Sequence, residues 1–377
     1  MRTLNNVDVS NKRVLLRVDF NVPLDSEGKI SDDSRIRKAL PTIKHLLQSC
    51  EQLIIMSHLG RPKGKVVEDL KMDKVAIRLM KLLGKNVSKV NDCVDIILPD
   101  EKIILLENLR FHKEEEKNNE AFAKKLASYA DFFVNDAFGT AHRAHASTVG
   151  VTKFLHGCIG FLIEKELKNL NFDYVEKPFI VIMGGSKLST KFPIINNLLP
   201  KVDKLLLGGA MIFNFYKALG FEIGKSLCEN EQLATARLLY NNEKIVLPQD
   251  VVVATDITTS SESKNVNYQK IPADWFGLDI GVNSVKQFKK ILSSAKTVFW
   301  NGPLGYFEIE KFAKSTNEII TFLSELDAKV VIGGGDSAVA IEKLGLENKF
   351  SHISTGGGAS LAYIQGEELP ALKALKN

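Results

Sequence analysis

The strongest constraint on the fold is a set of short, almost uninterrupted apolar runs, each cut off at once by polar or glycine-rich residues. In the first half these are Val14–Phe20, Leu53–Met56, Ile103–Leu106 and Phe132–Val134. In the second half they are Phe179–Met183, Leu205–Leu207, Ile245–Leu247, Thr297–Trp300 and Val330–Ile332. Amphipathic helical stretches separate them. A strand covered on both faces has no polar alternation, so continuous apolar strands between helices predict parallel sheets flanked by helices. Open sheets of this kind bind ligands beyond the carboxyl ends of their strands, which is where the polar and glycine-rich residues fall. At 377 residues the chain exceeds what one core usually serves, so two domains are expected. The boundary is expected within Phe161–Lys177, where Phe161, Leu162, Leu167 and Leu170 form a helical apolar pattern.

The halves differ in chemistry. Of ten arginines, nine lie at or before Arg143 and only Arg237 follows. Adjacent glycines occur only in the second half: Gly184-Gly185, Gly208-Gly209, Gly333 to Gly335 and Gly356 to Gly358. The guanidinium fork suits carboxylates and phosphates, while glycine turns let backbone N–H groups approach a nucleotide's phosphates. The first half therefore reads as a binder of a small polyanion and the second as a nucleotide binder. A net charge of +5 permits an anionic substrate without calling for nucleic acid. No apolar run approaches the roughly 18 residues of a membrane span, and Met1–Ser10 is too polar for a signal peptide. Cys50, Cys93, Cys158 and Cys228 are far apart and form no CxxC pair, which argues against a disulfide framework or zinc site and for a reducing cytoplasm.

In the first half, Asp19 and Asn21 follow the first strand, His58 and Arg61 the second, Arg110 the third and Arg143 the fourth; Arg35 follows a turn at Glu27-Gly28. One such arginine is more often a surface ion pair, but several at successive strand ends make a positive bowl. Arg13, Arg37 and Arg78 read as solvated or structural charges. His142 and His145 lack an evident third partner for a metal site. In the second half, Lys187 and Lys191 enter a helix after Gly184-Gly185, a spacing expected to put both ammonium groups on one helix face. Asn301 and Glu308 follow another strand. Gly333 to Gly335 open a helix carrying Asp336, which could reach Mg²⁺, and Ser337. Gly356 to Gly358 form a further glycine turn. The stretch Gly220 to Ser226 is one residue short of a P-loop, no GxGxxG follows the first strand, and no protein-kinase catalytic triplet is present.

The motifs RVDFNVP, SHLGRP, LRFH, NDAFGTAHRAH, GGSKLSTK, WNGPLGYFE, GGGDS and STGGGAS, in that order from Arg17 to Ser360, resemble the phosphoglycerate kinase family from end to end. The resemblance implies two doubly wound parallel-sheet domains joined by an interdomain helix and hinge. Residues 1–165, with 361–377 returning to them, would bind 3-phosphoglycerate, and 166–360 would bind the nucleotide. It implies reversible phosphoryl transfer from 1,3-bisphosphoglycerate to ADP by a cytoplasmic monomer working with Mg²⁺. Asp19, Asn21, Arg35, His58, Arg61, Arg110 and Arg143 would bind the glycerate ligand. Lys187, Lys191, Gly208, Gly209, Asn301, Glu308, Gly334, Gly335, Asp336 and Ser337 would bind the nucleotide, with Asp336 holding the metal. Arg35 and Lys187 would flank the phosphoryl group in flight, assisted by backbone N–H groups near Gly335 and Gly358. A catalytically silent relative and another small-molecule kinase of the same architecture are the alternatives; intact Arg35, Lys187, Lys191 and Asp336 weigh against the first. The chain departs from the family pattern at Gln249, at Val282 and at Ser315-Thr316.

Overall fold

The computed structural model describes residues 1–376, which divide into two compact units. One comprises Met1–Lys168 together with the segment from Glu367 onward; the other is Asn169–Gly366. The first division falls within the helix Phe161–Leu170. No helix among the described residues is long and apolar enough to cross a membrane.

In the first unit, strands β1 (Arg13–Arg17), β2 (Gln52–Met56), β3 (Ser88–Lys89), β4 (Ile103–Leu105), β5 (Phe132–Asn135) and β6 (Gly157–Ile159) form one sheet in the order β3-β4-β2-β1-β5-β6. Every neighbouring pair is parallel. The chain starts in the middle and winds first to one side, then the other, so the order reverses between β1 and β5. The helix Ser34–Leu46 buries Ile36, Ala39, Ile43 and Leu46, one face at helical spacing. The helix Asp73–Leu83 buries Val75, Ala76 and Leu79 and stops at Gly84, whose left-handed φ of 63° lets its N–H close on Met80 O. The apolar run Val14–Phe20 is not strand throughout. After Arg17 it leaves the ladder, and Ser57 Oγ takes the Phe20 N–H at 2.9 Å in place of a neighbouring strand.

In the second unit, β7 (Phe179–Met183), β8 (Lys204–Leu207) and β9 (Ile245–Val246) precede a three-stranded antiparallel sheet. That sheet consists of β10 (Asp250–Ala254), β11 (Ser263–Asn267) and β12 (Phe276–Ile280), in the order β11-β10-β12. The strands β13 (Thr297–Asn301), β14 (Lys329–Gly333) and β15 (His352–Ile353) return to the main sheet, whose order is β15-β14-β13-β7-β8-β9. This sheet is also parallel throughout and reverses between β7 and β13. A reversal opens a crevice, because the connections leaving the two central strands run to opposite faces.

Candidate active site

At the β1/β5 reversal of the first unit, charge is organised in two layers. The inner layer is Arg17, which is wholly buried although it ends a strand. Its Nε donates to Ser147 Oγ at 2.8 Å, Nη1 donates to Val18 O, and Nη2 lies 3.2 Å from His58 Nδ1 and 3.9 Å from Glu115 Oε1. Glu115 is equally buried and accepts from Ser147 N at 2.9 Å and Ser147 Oγ at 2.6 Å. Burial pushes the Glu115 carboxyl up, while Arg17 and the Ser147 donors pull it back. Arginine has no acceptor, so His58 Nδ1 must accept from Arg17, and the ring proton then sits on Nε2. Burial first, and then Arg17, Arg110 and Arg35, hold His58 well below the usual imidazole range, so it is neutral at pH 7. His145 is held down to about 3 by burial and by Arg17, Arg110 and Arg143.

The outer layer carries the residues at the strand ends. Arg35 Nη1 bonds Asp19 Oδ2. Gly139 makes this possible from the loop after β5, since a Cβ there would stand 2.4 Å from Asp19 Oδ2. Asn21 Oδ1 accepts from Gly60 N at 2.8 Å, and Arg110 Nη1 donates to Gly60 O at 2.8 Å, so both hold the loop that carries Arg61. Arg143 Nε bonds His142 Nε2 at 3.2 Å. Asp19, Asn21, Arg35, His58 and Arg110 therefore gather at the β1/β2/β5 edge, with Arg143 near enough to act on His145. Arg61 is exposed and makes no hydrogen bond or ion pair among the described residues. By contrast Arg13 pairs with Asp131, and Arg37 and Arg78 share Asp33. Arg17, Glu115 and Ser147 were not singled out from sequence. A charge inside an apolar strand is the signal that could have marked the first.

At the β7/β13 reversal of the second unit the loops pack backbone on backbone. Gly184 N donates to Asn301 O at 2.8 Å, Gly209 N to Leu304 O at 2.8 Å and Met211 N to Gly185 O at 3.1 Å. A Cβ on Gly184 would stand 2.0 Å from Pro303 O. One on Gly209, at φ +68°, would stand 2.4 Å from Gly185 N. The side chain of Asn301, at the end of β13, reaches the helix Leu188–Leu198 and the loop after β14: Lys191 Nζ bonds its Oδ1, and a Cβ on Gly334 would stand 2.9 Å from its Nδ2. Burial lowers the Lys191 ammonium's pKa and Asp336 opposes the shift. The expected shared face for Lys187 and Lys191 is not formed. Lys187 is extended, with φ −124° and ψ 123°, and caps the helix Leu188–Leu198 from outside it. Lys191 thus turns inward to Asn301 while Lys187 stays exposed. Ser337 is buried and its Oγ accepts from Gly302 N at 2.8 Å. Gly335 and Gly358 are the first residues of the helices Gly335–Lys343 and Gly358–Ile364, so N–H groups there have no acceptor within their own helix.

These loops border a cavity of about 480 Å³, walled by apolar side chains such as Phe213, Ile257 and Leu304, with Gly209, Glu308 and Asp336 on its lining; Gly208 lies behind Leu304 instead. Asp279, which sequence reasoning passed over, also lines it. Burial pushes its carboxyl up to about 7 against bonds from Ser315 Oγ, Ser315 N at 3.1 Å and Ile280 N at 2.9 Å. One departure from the family pattern, Ser315, is thus a partner of this buried carboxyl. The others, Gln249 and Val282, lie off the cavity lining.

The family model described as phosphoglycerate kinase matches residues 4–367. A phosphoglycerate kinase of Prochlorococcus marinus is 51% identical to this chain, covering 99% of it and 98% of the relative. One from Pelotomaculum thermopropionicum is 50% identical over 99% of this chain and 98% of its own. Among solved structures, phosphoglycerate kinase from Coxiella burnetii superposes with a TM-score of 0.91 at 40% identity, covering 100% of this chain and 98% of its own. The Pyrococcus horikoshii enzyme gives 0.83 at 33% identity with the same coverage.

Proposed function

The chain belongs to the phosphoglycerate kinase family, and from that premise we propose which of its residues carry the family's reaction. The reaction is the reversible transfer of a phosphoryl group from 1,3-bisphosphoglycerate to ADP, giving 3-phosphoglycerate and ATP in glycolysis; the enzyme is a phosphotransferase with a carboxyl acceptor. Our assignment gives the three-carbon acid to the first unit and the nucleotide to the second. One observation carries it: a cation-lined edge stands at one sheet reversal, and a glycine-framed, partly apolar cavity stands at the other.

In this assignment Arg61, Arg110 and Arg143 neutralise the glycerate's phosphate and carboxylate. Neutral His58 donates from Nε2. Asp19 orients Arg35 and Asn21 orients the Gly60 loop, each by accepting a hydrogen bond. In the ATP-consuming direction the nucleophile is a carboxylate, already ionised at pH 7, so no general base is required. What remains is alignment and neutralisation of the charge on the transferring group. Arg35 spends one N–H on Asp19 and keeps others for that group. Lys187, exposed at a helix start and with no side-chain hydrogen bond or ion pair among the described residues, supplies a second cation. The first-turn amides at Gly335 and Gly358 add oriented donors. Lys191 and Asn301 hold nucleotide phosphates, Glu308 the ribose hydroxyls, and Gly209 leaves room for the base against the apolar wall. Asp336 is exposed on the cavity lining and makes no hydrogen bond or ion pair among the described residues. A single free carboxylate completed by phosphate oxygens and water fits Mg²⁺. When bound, the ion would offset charge on the nucleotide's phosphates. Transfer also needs closure that joins the two ligands and sheds water. A cytoplasmic monomer completes the proposal.

The test is kinetic. Arg35→Ala and Lys187→Ala should each lower kcat by about a hundredfold while KM for either substrate moves far less, since groups acting on transition-state charge show that split. A variant that kept its kcat and raised only KM would reassign that residue to ground-state binding.

A further inference from the structure

Beside the buried floor of the first unit's site, but using none of its residues, Asp92, Cys93 and His112 bring together three donors of different chemistry. One carboxylate oxygen, the thiol sulfur and one imidazole nitrogen all lie within 4.8 Å of one another. The four cysteines are far apart in the sequence, and that spacing argued against zinc. It cannot reveal this cluster, because the fold brings His112 alongside Asp92 and Cys93 from a segment about twenty residues further on. We infer that Asp92, Cys93 and His112 form a site for a divalent borderline-soft metal, of which Zn²⁺ is the type.

Several independent features support this. The donor set of thiolate, imidazole and carboxylate is the set zinc takes, and three protein donors leave a fourth position for water. Water has a way in, because the side chain of Asp92 is 47% exposed and that of His112 29%, while Cys93 is buried beneath them. The donors are already oriented. Asp92 Oδ1 accepts from Cys93 N at 2.6 Å and stands 2.7 Å from His112 Nε2. The imidazole rests on Phe122, with centroids 5.3 Å apart. The charges acting on Cys93 are Asp92 and Glu115, both negative, so the local field favours a cation. Binding would form S–Zn, N–Zn and O–Zn bonds, release the Cys93 thiol proton to solvent, and exchange the Asp92–His112 hydrogen bond for shared coordination, the proton of that bond leaving His112 Nε2 so that the neutral ring binds through Nε2 and carries its hydrogen on Nδ1.

The test uses the full chain, reduced, stripped with chelator and desalted, with excess Mg²⁺ present to occupy hard oxygen sites. Co²⁺ is the probe, because thiolate coordination gives a ligand-to-metal charge-transfer band. The expected result is a saturable band at one equivalent, removed by Zn²⁺, absent in Cys93→Ser, and needing at least about tenfold more Co²⁺ in His112→Asn and Asp92→Asn. Circular dichroism would confirm that each variant is folded. If Cys93→Ser did not fold, the other two variants would decide. No band in the wild type, a band that survives in folded Cys93→Ser, or unchanged affinity in both His112→Asn and Asp92→Asn would overturn the site.

Discussion

In the first unit the candidate site is made of side chains, and what holds it is buried charge. In the second it is made of backbone, and what holds it is glycine. Arg17, Glu115 and Ser147 form a floor on which His58 and the outer arginines stand. Gly184, Gly209 and Gly302 let the loops after β7, β8 and β13 touch with no side chains between them. The difference follows from the ligands assigned. A small acid with two anionic ends offers little apolar surface, so its recognition depends on several charges fixed in direction. A nucleotide has a flat base for an apolar wall, and phosphates that main-chain N–H groups can reach.

The largest expected effect tests the floor. Arg17→Met should cost about 3–5 kcal/mol in urea unfolding, because it strands Glu115 as a buried unpaired charge. Adding Glu115→Gln should recover a good part of that loss. If the double variant were no better than the single, Arg17 would be acting through packing and the ionic account of the first unit would fail. Next comes Gly184→Ala, whose Cβ would meet the Pro303 carbonyl at 2.0 Å. Backbone on both sides of the contact cannot yield as a side chain would. A cost of about 3 kcal/mol is therefore expected, with ADP binding lost and 3-phosphoglycerate binding kept. Calorimetry of each ligand alone reads this, and retained ADP affinity would show that the loops are not rigidly interlocked.

The two units also differ in how legible they were in the sequence. The central strands of both sheets were readable, since strands buried on both faces must be continuously apolar. The runs at β2, β4, β5, β7, β8, β13 and β14 all found partners, as did the run at the half-buried edge strand β9. Short edge strands such as β3, with Ser88 and Lys89, carry no such pattern. Neither does β11, whose residues Ser263–Asn267 are half-buried or exposed. The antiparallel sheet was therefore missed. Strand-end arginines and glycine pairs were visible because their types are unusual where they stand. Burial of a charge left only a faint mark: Arg17 differs from Arg61 in standing within an apolar run, yet one is the floor and the other is exposed, with no hydrogen bond or ion pair among the described residues.

That contrast gives the third expectation. Arg61→Ala should raise the Kd for 3-phosphoglycerate by about tenfold or more, the scale of a lost charged hydrogen bond. ADP affinity and stability should stay nearly unchanged, because Arg61 supports nothing else. Calorimetry and unfolding on the same variant check both halves, and a parallel fall in ADP affinity would break the assignment of the ligands to separate units.

The smallest expected effect is on pH, and the two units should respond differently. In the second unit Asp279 titrates at about 7 when folded and near 3.9 when unfolded. Between those values the folded state holds a proton that the unfolded state lacks, so stability rises as pH falls from 7 towards 4.5. The slope is on the order of 1 kcal/mol per pH unit. The groups whose folded pKa is lowered there, Asp203, Asp250 and Glu229, act mainly below that window. In the first unit Asp136 at about 7 and the raised Glu115 have the same sign as Asp279. They are opposed by His58, His145 and His142, which burial keeps neutral when folded but which take a proton near pH 6.5 when unfolded. For these histidines stability is lost as pH falls through 6.5. The first unit should therefore stay level or weaken on acidification while the second strengthens. Segment-resolved hydrogen exchange of the full chain at pH 7 and pH 5, corrected for intrinsic rates, would show this as protection gained in Asn169–Gly366 alone. Asp279→Asn should abolish the gain. Equal shifts in both units would mean that they unfold as one, or that the bonds from Ser315 and Ile280 keep Asp279 ionised despite its burial.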